Sequence, residues 1–174
     1  MMENVLLEAD TVLFDFFCER GITSTIYAWP LLHSTMSEVL SVSDWLILWD
    51  HLFSIRKPWF LMLCTIAYSI LYRKTITTKL HKIDDFEQFY KTVVHVSIKN
   101  ILKIAHKLDR ETPHRIHPSR YLRYLYTNLH LYFIVLFIKN NKNCIEFFSI
   151  EMKSIHYQKK AHIHLFFSLN FPNI

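Results

Sequence analysis

The histidines of this sequence have the spacing that most resembles a chemical site, in this case a metal-binding site. His114 and His117 lie three positions apart, and His162 and His164 follow near the end of the chain. Imidazoles at such spacing can begin a zinc site, yet no cysteine pair accompanies them, and two histidines are too few ligands for a closed tetrahedral site. We therefore expect no bound metal.

Nucleophilic catalysis would need a serine or cysteine held beside a histidine by a defined turn. Serine, histidine and aspartate are all present, but the sequence has no Gly-x-Ser-x-Gly turn and contains a single glycine, Gly21. No frame for an activated nucleophile can be identified. We expect neither an intrinsic enzymatic activity nor a cofactor.

The composition indicates which elements must surround these residues. Of the 174 residues, 51% are apolar and 16% aromatic, and the lone glycine leaves few sites for the tight turns of a β-rich protein. A chain of this length is enough for one domain and short for two. The prediction is an all-α fold, built as an irregular array of several helices.

Apolar residues recur at helical spacing through most of the first 126 positions. Gly21 follows the first helix and suits the left-handed residue that ends many helices. Ser43 is a candidate N-cap of the third helix, Ser97 of a later one, and Pro58 suits the first position of the fourth, where its missing N–H costs no hydrogen bond. The predicted helices cover residues 5–17, 31–40, 44–53, 58–72, 84–90, 98–108 and 119–126.

The composition changes near Asn128. Residues 128–174 are rich in Phe, Ile, Leu, Asn, Lys and His, without clear helix caps or sustained amphipathicity. Apart from His, these amino acids have A/T-rich codons, as translation of non-coding DNA would give. We therefore divide the chain into a helical domain at residues 1–127 and an atypical apolar tail at residues 128–174, which we interpret as mistranslated or disordered.

Charge and cysteine content bear on partners and location. The formal net charge is +5 and the isoelectric point is near 9.1, but basic residues are spread from Arg20 to Lys160 with acidic ones between them. Solvated helix faces are expected from this pattern, and a nucleic-acid partner is not. Cys18, Cys64 and Cys144 form no C-x-x-C pair, which favours free thiols and an intracellular, cytoplasmic protein.

Three ordered blocks of sequence carry a resemblance to a known family. They are Ile26 to Pro30 (IYAWP), Asp44 to Phe53 (DWLILWDHLF) and Pro58 to Met62 (PWFLM). Their order and spacing resemble the TBC domain, the fold of Rab GTPase-activating proteins. The resemblance is to the carboxyl-terminal half of that domain and extends over residues 3–127.

The fit is closest to the branch of the family that couples WD repeats to a TBC domain, where Thr-Pro and His-Pro pairs follow as Thr112-Pro113 and His117-Pro118 do here. The resemblance implies an architectural motif, in which Trp49 is a core aromatic and Asp50 hydrogen-bonds nearby backbone. The residues of this motif are Tyr27, Trp29, Trp49, Asp50, Phe53 and Pro58. We expect the stretch from Tyr27 to Met62, with its tryptophans, to be buried between helices.

Acceleration of GTP hydrolysis requires a cation for the transferring phosphoryl group and a group that orients water. TBC activators resemble one another in supplying an arginine from Ile-x-x-Asp-x-x-Arg and a glutamine from Tyr-x-Gln. Neither motif occurs in this sequence, and Gln88 and Arg110 are more simply interpreted as solvated surface residues. The resemblance therefore implies a non-catalytic scaffold, or a module that binds a Rab-type GTPase or other proteins, in the centrosomal or centriolar region.

Two other hypotheses stay open at the level of sequence. The apolar runs 59–72 and 129–138, with the basic balance, suit a small membrane-associated helical protein, although each run is shorter than the ~20 residues that span hydrocarbon. Alternatively, the chain has no independent function, because helices that normally pack on an absent amino-terminal half would expose apolar faces and cause aggregation.

Overall fold

A computed structural model describes residues 1–93 and 97–121. Within these ranges the fold is all-α, as the composition predicts, with nine α-helices, one short 3-10 helix and no strand. The α-helices are α1 (Met2–Ala9), α2 (Thr11–Glu19), α3 (Ser24–Tyr27), α4 (Trp29–His33), α5 (Val42–Ile55), α6 (Phe60–Leu71), α7 (Arg73–Lys79), α8 (Ile83–Phe89) and α9 (Ile98–Glu111). The 3-10 helix covers Pro118–Arg120. The predicted tail at residues 128–174, including the apolar run 129–138, lies outside the described residues.

Helix α6 lies at the centre of the array because it is apolar on nearly every side. It packs along α9 and also contacts α1, α4 and α7. Nine of its twelve residues are buried, and inside this core the hydroxyl oxygens of Ser69 and Tyr90 lie 2.9 Å apart and satisfy each other. Burial in the core accounts for the apolar character of the run 59–72.

A helix that traverses a bilayer must be both long and apolar. Within residues 1–93 and 97–121, none combines the necessary length with the necessary apolar character.

The first predicted helix, over residues 5–17, is wrong as a single element. The backbone leaves helical geometry at Asp10, where φ is −154°, and the chain forms α1 and α2 on either side. The Asp10 carboxylate accepts a hydrogen bond from the Leu13 N–H at 3.1 Å and therefore caps α2. The end of α2 agrees with the prediction, because Gly21 has a φ of +66° and the Ile22 N–H returns to the Phe17 carbonyl at 2.9 Å.

The second predicted helix, over residues 31–40, is also wrong in its bounds. Helix α4 ends at His33, and the next turn contains two consecutive left-handed residues, Thr35 with φ 51° and Met36 with φ 63°. Local sequence gives no reason for this strain. Tertiary packing supplies one, because the Met36 side chain is fully buried and the Trp45 indole donates to the Thr35 carbonyl at 3.0 Å.

Helices α5 and α6 begin at residues other than those predicted. Ser41, and not Ser43, caps α5, since its hydroxyl accepts the Asp44 N–H at 3.2 Å. Pro58 is not the first residue of α6. It lies in the turn before that helix, where the Phe60 N–H donates to the Lys57 carbonyl at 2.9 Å.

Helix α9 is amphipathic and turns its apolar side inward. Ile98, Ile101, Ala105 and Leu108 are buried, and α9 is the main partner of α6. Ser97 stands at the predicted N-cap position, but its side chain makes no capping hydrogen bond. Of the predicted final helix over 119–126, the described residues form only the 3-10 turn, and residues 122–126 lie outside them.

Candidate functional site

Asp109, near the end of α9, joins two of the sequence segments that carry the resemblance. Its carboxylate accepts hydrogen bonds from the Lys57 ammonium at 2.6 Å and from the Trp59 indole N–H at 2.9 Å. The Nε2 atom of His117 lies 3.4 Å from the same carboxylate. The Pro58-Trp59 block and the His117-Pro118 pair, more than fifty residues apart, therefore meet at one side chain.

We call Asp109, with Lys57, Trp59 and His117, the Asp109 cluster. Its electrostatics favour a charged carboxylate. Burial alone would raise the pKa of Asp109, but the hydrogen bonds from Lys57 and Trp59, with the charges of Lys57 and His117, hold its pKa below the usual range. The carboxylate is largely buried and Lys57 is partly exposed. Such a pair fixes the connection between α5 and α6 against the end of α9.

Sequence reasoning did not identify Asp109. A signal was present, because Asp109 lies four residues after Ala105 and next to Leu108, at the edge of the apolar face of α9. A carboxylate at such an edge is drawn partly out of water and needs a partner. The identity of that partner, Lys57, depends on packing that one-dimensional patterns do not contain.

A second contact ties α9 to α5. The Nε2 atoms of His51 and His106 lie 2.8 Å apart, so one imidazole donates and the other accepts. Both rings pack against Phe60, with centroids 5.4 Å and 4.7 Å away. Burial, and secondarily the neighbouring His106, lowers the pKa of His51. The neutral imidazole is therefore the form of His51 that the fold favours.

A metal site in a protein needs several ligands gathered at one place. In residues 1–93 and 97–121, no group of three or more histidine, cysteine, aspartate or glutamate side chains is gathered in a way that could hold an ion. His117 faces Asp109 instead, and His114 is exposed. His162 and His164 lie outside the described residues.

Four of the six predicted motif residues are at least partly buried. Tyr27 is buried, and its ring stacks on Phe17 with centroids 5.1 Å apart. Trp49 is also buried and stacks on the half-buried Phe53 at 5.1 Å. Pro58 is half-buried in the turn before α6. Trp49, Phe53 and Pro58 therefore lie in or beside α5 and α6, whereas Tyr27 packs against α2.

Trp29 and Asp50 differ from what the sequence predicts. Trp29 retains 59% of its accessible surface and its ring lies tilted against His33, with centroids 5.7 Å apart, so it is not part of the core. Asp50 is exposed, and in the described ranges its carboxylate accepts no hydrogen bond from nearby backbone, while its backbone carbonyl accepts one from the Ser54 hydroxyl at 2.7 Å. The reason is geometric, because residue type alone does not reveal which side of a helix faces neighbouring segments.

The chain has clear relatives among curated proteins. It is 39% identical over 122 residues to proteins named TBC1 domain family member 31 from Xenopus tropicalis, Bos taurus and Homo sapiens. In each case the match covers 70% of this chain and 11% of the relative, so the chain spans about a ninth of the length of these proteins. No protein-family model matches the chain, and no solved structure matches it.

The match covers 122 of the 174 residues, and the three relatives share one name. The chain is therefore a TBC-related segment, homologous to part of TBC1 domain family member 31.

Proposed function

We propose that this chain is a non-catalytic, protein-binding module of a TBC-related protein. The observation that supports it best is the exposure of Trp29, which keeps 59% of its surface in solvent while Tyr27 and Ala28 beside it are buried. Tryptophan is enriched among the residues that dominate protein interfaces, because a rigid ring buries much apolar surface on binding. A rigidly placed, exposed tryptophan is a suitable anchor for a partner.

The absence of catalysis is proposed from the sequence. It contains neither Ile-x-x-Asp-x-x-Arg nor Tyr-x-Gln, the motifs that the family resemblance associates with the arginine and glutamine of the activating reaction. Tyr27, Trp49 and Trp59, which lie in the three blocks that carry the resemblance, contribute to packing or to the Asp109 cluster. We propose a Rab-type GTPase or a scaffold protein as the partner.

Phosphate release tests the catalytic part of this proposal. The purified chain is added to a panel of Rab proteins loaded with GTP, and release of inorganic phosphate is followed over time. We expect the intrinsic rate of each GTPase and no acceleration. A clear, chain-dependent increase in rate for any Rab would contradict the proposal.

Binding tests the role of Trp29. Association of the chain with the same Rab proteins, in the GTP and GDP forms, is measured by biolayer interferometry. For any Rab that binds, Trp29→Ala should weaken binding by about tenfold or more, as loss of an interface anchor does. Val12→Ala, which alters another exposed apolar side chain, is the control. Equal binding by the Trp29 variant and the original chain would exclude Trp29 as the anchor.

We also propose a cytoplasmic location in the centrosomal or centriolar region. Cys18 is exposed and Cys64 is buried, and both carry free thiols, which suits a reducing compartment. Imaging of the tagged chain beside a centriolar marker tests the location. Signal in the secretory pathway would contradict a cytoplasmic protein, and cytosolic signal that avoids the marker would contradict the centriolar assignment.

A further inference from the structure

The outward side of α9 carries a row of cations that helical spacing places on one face. Lys99, Lys103, Lys107 and Arg110 are all exposed. At 100° per residue these four side chains fall within about 80° of one another, and they extend over about 17 Å of helix. The apolar residues of α9 lie on the opposite side. We call these four residues the basic face of α9.

The arrangement of these cations destabilises α9 itself. Lys99, Lys103 and Lys107 follow one another at i, i+4 spacing, where like charges destabilise a helix. Lys99 also lies in the first turn, which holds no acidic residue, although the helix dipole there favours a negative charge. The fold of the chain gives no reason for such a pattern, and features that break local rules are concentrated at functional sites.

Acidic residues do little to neutralise the basic face. Asp109 points inward to Lys57 and Trp59, and Glu111 is the acid of α9 that lies near the row, with its carboxylate 3.7 Å from the Lys107 ammonium. Within the described part of the chain, Lys99, Lys103 and Arg110 form no ion pair. The face therefore presents a positive potential to solvent.

The basic face is held on a rigid support. Its helix packs along α6, the His51–His106 contact joins its middle to α5, and the Asp109 cluster fixes its end. Charges on a fixed helix keep their mutual spacing of about 6 Å, which lowers the entropic cost of meeting a matching row of opposite charge.

We propose that the basic face of α9 binds an acidic helical segment of a partner protein, whose Glu or Asp residues repeat at i, i+4. The inference rests on the proposed function as a protein-binding module and names the chemistry of one partner. A facing helix has the same rise per residue, so carboxylates four residues apart match the lysine spacing. The row contains no aromatic side chain on which bases could stack, and the apolar side of α9 is buried and so is not available to enter a membrane.

The test uses the full chain and a labelled, alanine-based helical peptide with glutamate at every fourth position. Binding is followed by fluorescence anisotropy at low and high salt. We expect saturable binding that weakens by about tenfold or more at high salt, because exposed charges are screened. A matched peptide with glutamine in place of glutamate should not bind.

Charge reversal locates the binding surface. The double variant Lys103→Glu/Lys107→Glu should reduce peptide affinity by about tenfold or more. Lys74→Glu/Lys79→Glu, which makes the same charge change at exposed positions of α7, is the control and should bind nearly as the original chain does. Circular dichroism melts should show that both variants fold.

Four outcomes would overturn the inference. They are unchanged affinity in the α9 variant, equal loss in the α7 control, tighter binding to single-stranded RNA than to the peptide, and tighter binding to vesicles containing phosphatidylserine. The peptide experiments could fail while phosphate release stays at the intrinsic rate and Trp29 is still required for Rab binding. That result would reject the basic face of α9 as a binding surface and would leave the proposed function unchanged. Stimulated phosphate release would instead reject the non-catalytic assignment without bearing on the peptide result.

Discussion

At the scale of single residues, Asp109 contacts two residues that lie far from it in the sequence. It receives hydrogen bonds from Lys57 and Trp59, fifty or more positions away, and faces His117. Asp50 belongs to the conspicuous Trp-Asp pair of the sequence, yet it is exposed and its carboxylate contributes no hydrogen bond within the described residues. Position in a motif and importance for stability are therefore different properties in this protein.

The replacement Asp109→Asn tests this difference. It removes the charge that pairs with Lys57 and should lower the free energy of unfolding at neutral pH by about 1–3 kcal/mol, as loss of a charged hydrogen bond in a largely buried site does. Asp50→Asn makes the same chemical change on the surface and should cost less than about 0.5 kcal/mol. Urea denaturation of both variants measures the two values. A cost for the Asp50 variant as large as that for Asp109 would contradict the structure.

The lowered pKa of His51 predicts how the stability of the folded chain depends on pH. Its pKa is lowered in the folded chain by burial and by His106, so the unfolded chain takes up a proton at higher pH than the folded chain does. The free energy of unfolding should therefore decrease as pH falls below about 6.5, the usual pKa of histidine. Urea denaturation at several pH values measures this decline.

His51→Gln should make the same decline shallower, because the group that takes up the proton on unfolding is gone. His33→Gln removes a surface imidazole and serves as the control. Identical pH profiles for the original chain and the His51 variant would show that this residue does not contribute to the decline.

At the scale of elements, helix boundaries are set by hydrogen bonds that compete with simple periodicity. Asp10 interrupts an apolar pattern that would otherwise form one helix, because it caps α2 and also pairs with Arg73 at 3.2 Å. Ser41 begins α5 two residues before Ser43, the candidate that the sequence favours. Each choice depends on which polar side chain reaches a free backbone N–H in the folded chain.

The cap of α5 can be tested with two serine variants. Ser41→Ala removes the hydroxyl that accepts the Asp44 N–H and should cost about 0.5–2 kcal/mol of stability. Ser43→Ala leaves that bond in place and should cost about 0.5 kcal/mol or less. Thermal unfolding followed by circular dichroism compares them. A larger loss for Ser43→Ala would show that the sequence-based assignment of the cap was correct after all.

At the scale of the whole molecule, the tryptophans are divided between a packed core and an exposed surface. Trp49 is buried against Trp45 and Phe53, whereas Trp29 is largely exposed. Residues 1–93 and 97–121 enclose their own apolar core around α6, which bears on the hypothesis that the chain aggregates for lack of a missing half. That hypothesis is still an untested prediction.

The two tryptophans should respond differently to truncation. Trp49→Ala should lower the free energy of unfolding by about 3–5 kcal/mol, because it leaves a large cavity in the core. Trp29→Ala should change it by about 0.5 kcal/mol or less, since little packing is lost at an exposed site. Chemical denaturation gives both values. Comparable losses at the two positions would indicate that Trp29 is buried in solution.

Composition and local pattern were enough to predict the class of fold and several local features. One glycine and a high apolar content indicate an all-α chain, and helical periodicity locates α5, α6 and α9 to within a few residues. Gly21 ends a helix as predicted, because its positive φ is a local requirement that glycine meets best. These features could be predicted because each depends on neighbours in sequence.

Packing of the helices decides the remaining features. It turns Trp29 outward and Met36 inward, and it brings Lys57 to Asp109. The cations of the basic face share one side of α9 through local helical spacing, and packing decides only that this side faces solvent. Burial at Trp29 and Met36, and the burial and pKa of Asp109, could not be predicted because they depend on contacts between segments, which exist only after the helices have packed.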